Sequence, residues 1–189
     1  MKLKLSGFLS DGAVLQKDER IPVRGMGTPG KRVRAVLKKS AAMIQGTAVT
    51  AGETMASGET VVSGDGRFCL ELDPLPAGGP YELCVTEEEN GVNQNAEEEN
   101  SVTVSDLLIG AVWYVSGQSN IDVDMERCRD SYPEIIGSCQ DDGLRTFRIT
   151  EHADYHGPLD EPLTGEWKKA DPESILGFSA TGYFFARAL

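Results

Sequence analysis

Gly117-Gln118-Ser119-Asn120 closes an apolar run at residues 111–115 and sets one serine between two amide side chains. A plain turn needs only Gly, Asn or Asp, so the serine raises the question of chemistry. A tight turn at Gly117 after a strand would expose Ser119 above the carboxyl edge of a sheet, where open α/β folds place their ligands. If a helix follows, its first N–H groups and its dipole favour negative charge developing at Ser119. The Ser119 N–H would then be one oxyanion donor, worth about 3 kcal/mol of transition-state stabilisation in acyl transfer. Ser and Asn also cap helices routinely. Spacing alone leaves both uses open.

Other residues invite chemistry less strongly. His152, Asp154 and His156 stand in "EHADYHGP" and have the types of a metal or base site. Two histidines and an aspartate in a loop fix no geometry, so a polar loop is the better reading and no metal is expected. "CQDDGLR" at 139–145 lacks the carboxylate spacing of a calcium loop and reads as a turn. Trp113, inside the apolar run, is expected to pack in the core; Trp167 could pack or stack on a sugar. Cys69, Cys84, Cys128 and Cys139 form no CxxC pair and no zinc spacing. Cys69 and Cys84 could face each other across a hairpin, but free buried thiols are expected.

The elements that must position Ser119 are legible in outline. Val33, Ala35 and Leu37 alternate with charged residues in 31–39; Phe68, Leu70 and Leu72 do so in 66–72, and Tyr81, Leu83 and Val85 in 81–86. That period of two marks half-buried strands. Residues 63–66 and 74–80 carry the Gly and Pro of turns. Short strands at this spacing indicate an antiparallel sandwich over 1–105. Residues 40–60 are small and weakly patterned. Residues 87–100 carry six glutamates and read as a solvated loop rather than a cation or partner site.

The texture changes near Ser105. Residues 106–115 are almost continuously apolar, as expected of a strand covered on both faces in a parallel sheet. A helix and loop are expected after Asn120, with Pro133 ending or redirecting the helix. Residues 144–150 predict a strand with Leu144, Phe147 and Ile149 inward, 151–177 an irregular stretch, and 178–189 a helix capped by Ser179. Ala180, Tyr183, Phe184 and Leu189 lie near one face of that helix, which Phe185 widens. The chain stops inside this pattern, which suggests a fragment.

With 189 residues the chain has room for one large domain or two small ones. A net charge of −12 and a pI near 4.6 repel phosphate backbones and anionic lipid, so nucleic acid and membrane are not expected partners. No segment approaches the roughly 18 apolar residues of a membrane span. The first residues lack a signal peptide's apolar core, so a cytoplasmic location is expected, or secretion if a signal was trimmed.

Six stretches together carry a family resemblance: "SDGAVLQ" (10–16), "IPVRGMGTPGKRV" (21–33), "GDGRF" (64–68), "LPAGGPYEL" (75–83), "IGAVWYVSGQSN" (109–120) and "GFSATGYFFARAL" (177–189). In this order they resemble the N-terminal portion of the sialate O-acetylesterases, SGNH-type carbohydrate esterases. Ile121 stands where relatives usually have methionine, and 40–60 and 87–100 are longer than the family's hairpins. The resemblance implies a mixed fold: an N-terminal antiparallel β-sandwich (1–105, Ig-like or jelly-roll-like), then the beginning of an α/β/α hydrolase domain (106–189). It implies Ser119 as nucleophile, with Gly117, Gln118 and Asn120 in support, an O-acetylated sialic acid or related sugar as substrate, and no cofactor. The family's paired Asp and His and its other oxyanion donors would lie beyond Leu189, so this chain alone is expected to be inactive. A half-built sheet leaves an unpaired edge, and self-association is expected from it. The alternative from another class is a non-catalytic β-sandwich binding or structural module with a vestigial hydrolase segment.

Overall fold

The alternation of residues 31–39 becomes β4 (Arg32–Lys39), in which Val33, Ala35 and Leu37 are completely buried. β8 (Arg67–Leu72) and β9 (Gly78–Glu88) repeat the pattern with Phe68, Leu70 and Leu72, and with Tyr81, Leu83 and Val85. Side chains alternate across a strand, so each strand offers one apolar face to a shared core. The computed structural model describes residues 2–40, 43–44, 47–48, 52–88, 100–149, 157 and 165–189. Among these the architecture is mixed and sheet-dominated, with few helices.

A three-stranded sheet contains β1 (Lys4–Leu5), β3 (Ile21–Met26) and β8, in that order. A five-stranded sheet runs β2 (Val14–Gln16), β10 (Ser101–Gly110), β9, β4 and β7 (Thr54–Val61). Pairing is antiparallel except between β10 and β2. Val23, Phe68 and Leu72 from the first sheet meet Leu37, Leu83 and Leu107 from the second in one apolar cluster. The short strands β5 (Met43–Ile44) and β6 (Thr47–Ala48) pair with each other.

A second, smaller cluster follows β10. A 3-10 turn at Met125–Cys128, α1 (Pro133–Gly137), β11 (Asp141–Phe147), β12 (Trp167–Ala170), a second 3-10 turn at Ser174–Gly177 and α2 (Ala180–Arg187) enclose Met125, Ile175, Phe178 and Tyr183. Ser179 caps α2 by accepting from the Gly182 amide at 3.3 Å.

Several expectations require correction. From the end of the 40–60 stretch, residues 54–61 form the edge strand β7 on β4; only Ala56 is buried there, so an edge pairing formed by backbone bonds left no apolar alternation to read. Pro133 begins α1 rather than ending a helix, because a first-turn residue needs no N–H. Ile149 and Leu189 lie exposed, beyond the ends of β11 and α2. Trp167 lies in β12, within a stretch expected to be irregular. All four cysteines are free, but only Cys139 is buried; Cys84 and Cys128 are half-buried, and Cys69 is exposed, since it points away from the core on β8.

The largest correction concerns 106–115. Its first half belongs to β10, in the five-stranded sheet. Residues 111–115 pair with no strand among the described residues, and Trp113 is 58% and Tyr114 85% exposed. Trp113 is therefore not a core residue; its ring meets the edge of Phe185 at 5.3 Å. Burial on two faces requires cover on both sides, and among the described residues no strand pairs with 111–115.

The two clusters are joined through Arg145, whose side chain is only 2% exposed. Its Nη1 donates to the carbonyls of Gly12 (2.7 Å) and Asp106 (2.5 Å), and its Nη2 to Asp106 Oδ1 (3.0 Å). Lys169 Nζ lies 2.9 Å from Asp106 Oδ2. Nearby, Trp167 Nε1 donates to the Phe8 carbonyl at 2.9 Å, and Phe147 lies between the Phe8 and Trp167 rings. Burial alone would raise the Asp106 carboxyl, but hydrogen bonds and charge from Lys169 and Arg145 outweigh it and hold the group below the ordinary carboxylate value. A depressed folded-state pKa contributes stability that is complete above the unfolded value, about 3.9, and lost as pH falls through the folded value. Urea titrations from pH 6 to pH 3 are accordingly expected to show the wild-type advantage over Asp106→Asn shrinking below about pH 4. A constant difference across that range would refute the assignment.

Candidate functional site

β10 ends at Gly110, and residues 111–117 continue from it without regular structure. At the exit, the Val112 amide donates to Gln16 Oε1 at 2.9 Å. A turn follows in which the amides of Ile121 and Asp122 both donate to the Gln118 carbonyl, at 2.9 and 3.0 Å. Ser119 stands exposed at its crest. Gly117 is explained by close approach: a Cβ there would lie 2.5 Å from Ile121 Cγ1. Ile121 thus packs into the space a side chain at 117 would fill.

No helix begins at Ser119, so the condition for a helix dipole at the serine is not met. The backbone of 120–125 is committed to the start of α2 instead. Thr181 Oγ1 donates to the Asn120 carbonyl (3.2 Å), the Ala180 amide to the Val123 carbonyl (2.8 Å), and the Met125 amide to the Phe178 carbonyl (2.9 Å). Groups engaged this way cannot make the bonds of a helix starting at 119. The next helical turn starts at Met125, capped by Asp124, whose carboxylate accepts from the Arg127 amide at 3.2 Å. The donor at Ser119 is therefore its own turn amide, without an aligned helix dipole behind it.

Gln118 and Asn120 order the turn through their main-chain carbonyls, and both residues are exposed, as Ser119 is. Gln16 and Thr181 also hold this segment, and the motif reading passed over both. Their signal was present, since they lie inside the quoted stretches 10–16 and 177–189. His152, Asp154 and His156 lie outside the described residues. Among those described, no group of three or more His, Cys, Asp or Glu side chains could hold a metal ion. Asp141 Oδ1 accepts from the amides of Gly143 and Leu144 at 2.9 and 3.1 Å, a turn rather than a calcium loop.

A cleft of about 640 Å³ opens beside the turn, lined by Asp122, Arg148, Glu166, Lys168 and Phe178 among others, without Ser119. Its charges are internally paired: Arg148 to Asp122 at 2.5 Å, and Lys168 to Glu166 at 2.8 Å. With two acids and two bases it has no net charge to select an ion. The case for chemistry therefore rests on the exposed serine turn rather than on this cleft.

No family model matches the chain. Among curated proteins, the sialate O-acetylesterase of Homo sapiens is 24% identical over 149 residues, covering 78% of this chain and 25% of its own length. That of Rattus norvegicus is 27% identical over 149 residues, covering 78% and 24%. The chain thus spans about a quarter of the length of the curated relatives it matches. Among solved structures, a carbohydrate acetylesterase from Xanthomonas citri matches with a TM-score of 0.78 and 28% identity, over 99% of this chain and 37% of that one. Described residues bear no helix long and apolar enough to cross a membrane. By motifs and sequence this chain resembles the sialate O-acetylesterases, and by fold it resembles part of a carbohydrate acetylesterase.

Proposed function

We propose that Ser119 is the nucleophile of a serine carbohydrate esterase that removes O-acetyl groups from sialic acid or a related acetylated sugar. The observation that carries this reading is the exposed Gly117-Gln118-Ser119-Asn120 turn, held between β10 and α2 in a chain resembling acetylesterases. We read the two-sheet unit as a β-sandwich and residues 106–189 as the first part of an SGNH-type hydrolase domain. The exposed apolar run 111–115 supports that division, being composed as a buried strand and bare here.

In the reaction, a histidine supplied from outside these 189 residues takes the Ser119 proton as Oγ attacks the acetyl carbonyl carbon. The resulting oxyanion accepts a hydrogen bond from the Ser119 amide and from further donors. Collapse expels the sugar hydroxyl, which recovers the proton from the histidine and leaves acetyl-Ser119. Water, deprotonated by the same base, then releases acetate. The resemblance to the sialate O-acetylesterases puts the paired Asp and His outside these 189 residues, so the chain by itself is expected to be inactive.

A fluorophosphonate probe tests the assignment, because it marks only an activated serine. In the natural full-length polypeptide the adduct is expected on the peptide containing Ser119, and the 189-residue chain is expected to give none. An adduct on another serine would displace Ser119. A full-length protein that neither labels nor releases acetate would leave the β-sandwich binding module as the better reading.

A further inference from the structure

The segment 10–16 takes no part in the chemistry of Ser119, yet three of its residues converge on the strand that leads there. Asp11 Oδ1 accepts from the Ser105 amide at 2.7 Å, the Gly12 carbonyl accepts from Arg145 at 2.7 Å, and Gln16 Oε1 accepts from the Val112 amide at 2.9 Å. Gly12 is left-handed at φ +80°, and a Cβ on it would touch Trp167 Cβ at 3.4 Å. Glycine is favoured there by the left-handed backbone, while the Trp167 contact would be an ordinary one.

Between the Asp11 and Gln16 contacts lies Asp106. It is left-handed at φ 57°, and the register of β10 on β9 shifts between Val104 and Leu107. A non-glycine residue keeps that conformation only where its surroundings over-determine it. Here they do. The nearly buried Arg145 fork grips both the carbonyl and the carboxylate of Asp106, while Lys169 takes the other carboxylate oxygen. A guanidinium with so little exposure is tolerated because each of its nitrogens finds an acceptor, Nε donating to the Asp142 carbonyl at 3.1 Å.

We infer that Arg145, Asp106 and Gln16 are positioning residues for Ser119. Together they form a joint that sets where β10 turns and where the 111–119 segment leaves it. The far end of that segment is fixed independently, by Thr181 on the Asn120 carbonyl. A displacement at Asp106 therefore distorts the 111–119 segment between its two anchors, and with it the pose of Ser119, instead of moving the site as one body. The catalytic part of this inference rests on the nucleophile reading; the structural part does not.

The test uses the natural full-length polypeptide with Arg145→Lys, which keeps the charge and loses the fork, and Gln16→Leu, an exposed change that leaves the ion cluster intact. Hydrogen exchange of the Val112 amide is read alongside kcat and KM with p-nitrophenyl acetate. Both variants are expected to exchange at Val112 about tenfold faster, with local opening no longer opposed by the joint. In both, kcat is expected to fall about tenfold to a hundredfold while KM changes less than about twofold. If Arg145→Lys does not fold, Gln16→Leu decides. Unchanged exchange with unchanged kcat overturns the inference, as does a kcat that falls only in proportion to the folded fraction. A wild-type protein without acetate release sinks the nucleophile reading; the exchange rates then decide the joint alone, acceleration upholding it and constancy overturning it.

Discussion

Ser119→Ala in the full-length polypeptide is expected to lower kcat for acetate release by at least about 10³-fold while leaving the melting temperature unchanged. The two halves of that result depend on different observations. Loss of rate follows if the hydroxyl forms the acetyl-enzyme, because water and the remaining oxyanion donors recover only part of the acceleration. Retained stability follows from exposure: the side chain stands at the crest of a turn built by the Gln118 carbonyl and the Thr181 hydroxyl. An exposed substitution away from packing or capping changes stability by no more than about 0.5 kcal/mol. Acetate release that persists at the wild-type rate would reject Ser119. A large drop in melting temperature would instead mean that the hydroxyl supports the turn, and the lost activity would no longer identify a nucleophile.

The second large effect is on folding. Gly25→Ala is expected to destabilise the protein by at least about 3 kcal/mol, near the upper range for overpacking. Gly25 lies in β3, paired with Leu5 on one side and Phe68 on the other. A Cβ there would fall 2.7 Å from Phe68 Cζ and collide with the Lys4 carbonyl oxygen. The ring can move only into a filled core, and the carbonyl only by parting β1 from β3. Gly64→Ala is the control, since nothing lies within 4 Å of its Cβ and its φ is not left-handed. It is expected to change stability by less than about 0.5 kcal/mol. Denaturant midpoints for the pair measure the difference directly, and equal midpoints would contradict the steric argument.

Those two glycines look alike in sequence, and the contrast marks the limit of what composition conveys. The strands β4, β8 and β9 were readable because their apolar residues recur every second position, and Val33, Leu37, Leu72 and Leu83 are fully buried as that period requires. The cap at Ser179 was readable because capping is settled within four residues. The turn at 63–66 was readable too; its Gly66 is left-handed at φ 84°. These are local facts of the chain, fixed by side-chain direction and backbone sterics over a few residues.

The misreadings share one cause. Residues 111–115 are composed like a buried strand, but apolarity states a demand for cover without naming the neighbour that meets it, and here Tyr114 stands in the open. β7 was missed because its place depends on backbone pairing with β4 rather than on its own pattern. Ser119 and Asn120 can cap a helix, but none begins there; the Asn120 and Val123 carbonyls and the Met125 amide pair instead with residues 178–181, some sixty residues away. Arg145 and Asp106, 39 residues apart, carried no mark of their joint. By itself, then, the sequence determined which residues alternate, turn and cap. Only the tertiary structure decided what Ser119 is anchored to, because hydrogen bonds and buried charges between distant segments depend on where the chain returns, which no local period encodes.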